Sequence, residues 1–136
     1  MSERVDKFCD GLRERLNALE GRLQSVKADM QVLPAKAEKA LREKLDEART
    51  KLLAQKERVE KARLDLKARA DQKMAETVEA INEWKAKREV RKLNARAERA
   101  EAYAQAAMVL ALASIDEVEV AILDAVAARK DADAAQ

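Results

Sequence analysis

From Val5 to Leu33 the apolar residues Val5, Phe8, Leu12, Leu16, Leu19, Leu23, Val26, Met30 and Leu33 follow one another at intervals of three or four. That spacing lays them in one stripe along a helix and predicts a helix over about 3–32. The step from Phe8 through Leu12 to Leu16 adds four residues to a heptad count, a stutter that locally unwinds a supercoil. Gly11 and Gly21 fall off the stripe, each about 1 kcal/mol worse than alanine in a helix. Pro34 stops the pattern, because it disfavours helical geometry in Leu33 and carries no N–H. It is also a good first residue for a following helix, so a tight reversal is predicted at 33–35.

After Pro34 the chain contains no further glycine or proline. Leu41, Leu45, Ala48, Leu52, Gln55, Val59, Ala62 and Leu66 form a second, thinner stripe. Its phase slips around Ala70 and resumes with Met74, Thr77, Ile81 and Trp84. Read as unbroken, the segment predicts a long helix over about 35–93, roughly 90 Å at 1.5 Å per residue. The first helix can fold back antiparallel over its first half, apolar stripe against apolar stripe.

The third segment, an Ala-rich helix over about 95–130, has two seams. Val90 and Leu93 begin a small one that continues through Ala97, Ala100, Ala104, Ala107, Ala111, Ser114, Val118, Ala121 and Ala125. Beside it run the bulkier Met108, Leu112, Ile115, Ile122 and Val126. Two seams imply two packing faces, so this helix is expected inside a bundle or between subunits. Tyr103, Ala104, Ala107, Met108, Ala111, Leu112, Ile115 and Ile122 are the candidate partner or oligomer interface. Ser114–Glu117 resembles a capping box, but the seam passes through it unshifted. Asn94 is the best candidate for a turn between the second and third segments. Turning there gives a three-helix bundle, whereas running straight gives one helix of more than 90 residues and requires an oligomeric bundle; the pattern favours the elongated oligomer. Residues 131–136 are expected to be a disordered tail.

Composition fits this picture. Charged residues make up 40% and aromatics 2%, with two glycines and one proline in 136 residues. Nearly everything else is a strong helix former, and the β-branched and aromatic residues that strands favour are scarce. The fold class is therefore all-α, an elongated antiparallel helical hairpin or coiled coil with an Ala-rich third helix, in one domain.

Charge is uneven along the chain. Residues 35–100 hold 20 basic and 13 acidic groups, whereas residues 101–136 hold two and seven. On a continuous helix Lys85, Arg88, Lys92, Arg96 and Arg99 share one face, with Arg91 adjacent. Such a stripe could follow nucleic-acid phosphates or meet an anionic surface, with Trp84 at the interface. A solvated face laced with Glu83, Glu89 and Glu98 explains the same residues.

No active site is legible. There is no histidine, which removes the usual general base and the commonest metal ligand, and Glu-x-x-His di-iron sites with them. Two isolated glycines cannot build a phosphate loop. Cys9 has no histidine partner and reads as a buried spacer beside Phe8. No catalytic residue, cofactor or metal is expected. One cysteine, no signal peptide and no transmembrane run point to a reducing, cytoplasmic setting. The expected function is that of a structural or adaptor protein that self-associates and binds a partner protein through helix faces. The alternatives are an amphipathic coat on a lipid or polymer granule, phasin- or apolipoprotein-like in its physics though without a motif of either family, and a nucleic-acid-associated basic helix.

Overall fold

The computed structural model describes residues 3–73 and 76–136, and every regular element among them is helical. α1 (Glu3–Val32) carries the first stripe and ends in a 3-10 turn at Leu33–Ala35, with Pro34 inside the turn. The Lys36 N–H closes that turn on the Leu33 carbonyl at 3.1 Å. The chain then comes back through α2 (Glu38–Ala54) and α3 (Lys56–Lys73), followed by α4 (Val78–Ala86) and α5 (Val90–Ala134).

The long helix expected over 35–93 is not continuous. It is broken at Gln55, again between Lys73 and Val78, and finally at 87–89; Met74, expected in the resumed stripe, lies outside the described residues. At Gln55 the backbone N–H turns to the Leu52 carbonyl at 3.1 Å, with neither proline nor glycine present to cause it. Thr77, instead of continuing a stripe, caps α4: its Oγ1 accepts the Ala80 N–H at 3.1 Å, satisfying one of the orphan donors of a helix start.

The reversal into the last helix falls at Lys87–Glu89, not at Asn94, which lies in the second turn of α5. Glu89 N–H reaches the Trp84 carbonyl at 2.9 Å and Arg88 N–H the Lys85 carbonyl at 3.2 Å. These are the paired bonds of a Schellman cap. Arg88 occupies the position usually held by glycine, with φ of 53°. That conformation costs an L-residue roughly 1–2 kcal/mol, of which glycine's larger unfolded-state entropy would offset part. Arg88→Gly is therefore expected to raise the unfolding free energy by about 0.5–1 kcal/mol, read as a higher urea midpoint at unchanged slope.

α5 runs back for 45 residues, about 67 Å. Phe8 shares a groove with Ala97 and Val26 one with Ile122, so α1 and α5 are parallel. Ala62 lies by Ala106 and Gln55 by Asp116, so α2 and α3 are antiparallel to α5. α5 is the element on which α1, α2, α3 and α4 all pack. The chain thus does not run straight past Asn94. The helix also passes unbroken through Ser114–Glu117 and reaches Ala134, into the stretch expected to be disordered. Alanine-rich sequence favours helix there, and Lys130 Nζ ties these last turns to the Lys36 carbonyl at 2.6 Å.

Leu33, Leu41, Leu45, Ala48 and Leu123 make the core where the three legs meet. The second stripe is the packed face of α2 and α3: Leu41, Leu45, Ala48 and Ala62 are buried, and Leu52, Val59 and Leu66 half-buried. The first stripe is divided. Val26 and Leu33 are buried and Phe8, Leu12 and Leu19 half-buried, but Leu16, Leu23 and Met30 stay 51–55% exposed. On α5 the packed row is Ala106, Val109, Ala113, Asp116, Val120, Leu123 and Ala127.

Candidate functional site

Asp116 is the one charged side chain in that packed row, and it is only 3% exposed. It is held from both other legs. Arg22 of α1 donates to its Oδ1 at 2.6 Å and to Glu119 at 3.1 Å, and Gln55 donates to its Oδ2 at 2.9 Å. The hydrogen bond to Asp116, more than any other contact, holds the Arg22 guanidinium above its ordinary pKa against the opposing pull of burial. The break between α2 and α3 therefore sits where Gln55 turns its amide to the buried carboxylate. A buried charge with this many partners ties the three legs in one register.

A second polar node lies between α3 and α5. Arg99 of α5 and Arg69 of α3, the latter at 2.7 Å, both donate to Glu76, whose side chain is 6% exposed. The bond from Arg99, helped by that from Arg69, keeps the Glu76 carboxyl below the usual range although burial pushes it up.

This node and the reversal at 87–89 take the basic stripe apart. Lys85 ends α4, Arg88 lies in the turn, and Arg91, Lys92, Arg96 and Arg99 are on α5, so no single helix face carries them. Arg99 is committed to Glu76. Lys92 pairs with Glu89 at 3.4 Å and lies 5.9 Å from the Trp84 ring centroid. Arg96 is half-buried, with a buried Nε that lacks a hydrogen-bond partner.

The candidate interface residues divide into two groups. Tyr103, Ala107 and Ala111 are exposed, with Ala104 half-buried beside them; Met108, Leu112, Ile115 and Ile122 turn inward and are half-buried. The small seam was expected to pack. Within one chain its members Ala97, Ala100, Ala107, Ala111, Ser114, Val118, Ala121 and Ala125 all face solvent, because α1 and α2–α3 occupy the other sides of α5, so of the two expected settings the inside of the chain's own bundle does not apply to this seam. Leu16, Leu23 and Met30 lie on the flank of α1 away from the groove-lining Arg15 and Ala18 and from Arg22, which reaches Asp116, so they border the same outward face. Cys9, expected to be buried, is exposed.

On the opposite side α1 and α3 are splayed apart over α5. Arg15, Ala18 and Leu19 of α1 face Gln55 and Arg58 across a floor of Met108, Val109 and Leu112, bordering a half-open slot of about 200 Å³. The slot opens into a wider groove of about 430 Å³ over Ala102, Gln105 and Ala106 that keeps Arg15, Arg58 and Val109 in its lining.

Among the described residues no three His, Cys, Asp or Glu side chains are grouped to hold a metal, and no helix is long and apolar enough to cross a membrane. No family model, curated protein or solved structure matches this chain.

Proposed function

We propose that this chain is a non-enzymatic structural or adaptor protein that self-associates through the outward face of α5, forming an oligomeric helical bundle whose remaining helix faces receive other proteins. The observation that carries the reading is the composition of that face. In a chain that is 40% charged, eleven successive 3-4 positions from Val90 to Ala125 hold no charge at all, and most of them face solvent. A purely solvated face has no physical reason to exclude charge over such a length. Small residues there let a second helix approach closely, while Val118 and the bordering Leu16, Leu23 and Met30, each about half exposed, supply apolar area. The exposed thiol of Cys9 suits a reducing compartment such as the cytoplasm.

Sedimentation equilibrium over a range of concentrations tests this. The expected result is a mass above the 15.2 kDa of one chain. The double variant Ala111→Glu/Val118→Glu should reduce that mass to the monomer with undiminished helical circular dichroism. A wild-type chain that stays at 15.2 kDa at all concentrations would refute self-association. Such a monomer binding anionic vesicles instead would favour the granule-coat reading.

A further inference from the structure

We propose that the slot between α1, α3 and α5 binds a single-chain anionic amphiphile, an alkyl chain ending in a carboxylate. The tail would lie on Leu19, Met108, Val109 and Leu112 and the head between Arg15 and Arg58. This site is separate from the outward face of α5.

The slot has direction. Its closed end lies at Gln55 and Leu112, where the bonds from Gln55 and Arg22 to Asp116 fasten the three legs together. Its mouth lies at Arg15, Arg58 and Val109, the three residues it shares with the wider groove beyond, and Arg15 and Arg58 are the charged ones. An elongated ligand must therefore enter with one end against hydrocarbon and leave the other beside two guanidinium groups.

The charges select the sign of that end. Neither Arg15 nor Arg58 has an ion-pair partner among the described residues, and both line the slot. Two unpaired cations facing one cavity repel each other, and a bound anion relieves that repulsion. The planar guanidinium fork matches a carboxylate in bidentate geometry, whereas an ammonium head would add a third positive charge.

The volume selects the class. Pockets for drug-sized ligands run from about 300 to 1,000 Å³, so about 200 Å³ admits one alkyl chain but not a fused-ring lipid. A partner helix, about 10 Å across with its side chains, does not enter such a slot.

Calorimetric titration of the full chain with decanoate, kept below its micelle concentration, tests the proposal, with decylammonium as the tail-matched cation. Saturable one-to-one binding is expected for decanoate, at least about tenfold tighter than for decylammonium. Arg15→Glu/Arg58→Glu alters two exposed, unpaired positions and should abolish the preference. Met108→Gln, close in volume but polar, should weaken decanoate by a similar factor, with the fold of both variants checked by thermal melting. Ala111→Glu/Val118→Glu should bind decanoate as wild type does, which separates this site from the self-association surface. Failure of decanoate to bind, equal binding of the two amphiphiles, or indifference to the arginine reversal would each overturn the proposal. So would binding confined to phosphatidylglycerol vesicles, which would locate the affinity on a surface and not in the slot.

Discussion

Replacing Leu123 with alanine is expected to destabilise the protein by about 3 kcal/mol, within the range for buried leucines. Leu123 is 1% exposed and packs in one cluster with Leu33, Leu41, Leu45 and Ala48. It stands where the turn after α1, the start of α2 and the end of α5 converge. Relaxation into the vacated space would need helices tied elsewhere by Asp29–Lys44 at 2.8 Å and Lys130–Lys36 at 2.6 Å to move together. Incomplete collapse places the cost in the middle of the range and not at its floor. For a chain of this length the melting temperature should fall by roughly 10 °C. Leu53→Ala is the matched control: at 70% exposure it should change stability by less than about 0.5 kcal/mol. A loss below about 1 kcal/mol for Leu123→Ala would mean that the legs do not meet as described.

Asp116→Ala should cost a similar amount, about 3 kcal/mol, by a different route. The substitution removes a buried charge and improves helix propensity, so intuition from the surface would predict a gain. Its partners decide otherwise. Arg22 would retain only Glu119 at 3.1 Å, and the half-buried Gln55 amide would lose its Asp116 acceptor. Unsatisfied buried polar groups cost about 1–3 kcal/mol each, more when charged. Because Arg22 is a main polar tie between α1 and α5, amide exchange in α1 should accelerate before that in α2 or α3. Replacing all three partners, Arg22→Met, Gln55→Leu and Asp116→Leu, should by contrast be neutral or stabilising, since an apolar trio avoids desolvating the charges. If the single and triple variants lose stability equally, the node is not a coupled unit.

The sequence pattern marked the helical class, the first reversal and one packed face, but neither the breaks in the second segment nor the packed row of α5. Pro34 marked the first reversal because its missing N–H and fixed φ act locally. The stripe from Leu41 to Leu66 named the packed face of α2 and α3, since nothing but apolar side chains and Gln55 occupies it. The second reversal left no such mark: its cap uses Arg88 in a conformation where glycine is the usual signal, so the turn read as helix and the boundary drifted to Asn94. The packed row of α5 was hidden by its own aspartate. Positions 106, 109, 113, 116, 120, 123 and 127 keep a clean 3-4 spacing, but Asp116 reads as surface until Arg22 and Gln55, 94 and 61 residues away, are known to reach it. The small seam was legible as a packing face, but not on which side of α5 it would lie; it is the outer one. The basic stripe failed for a related reason, since it assumed a continuous helix across the point where the chain turns back. The slot was not foreseen, because it depends on the gap between α1 and α3, which neither stripe encodes.

α5, which follows the other four helices in the chain, carries the packing of all of them. A ribosome adding about 5–20 residues per second releases α1, α2 and α3 several seconds before the 45 residues of α5 have emerged. Through that interval the leucine rows from Leu12 to Leu33 and from Leu41 to Leu66 lack the surface they are built to cover. The earlier helices therefore complete their packing only once α5 is made. The nascent chain must wait, and its open stripes are what a chaperone, or a neighbouring nascent chain on the same message, would meet first.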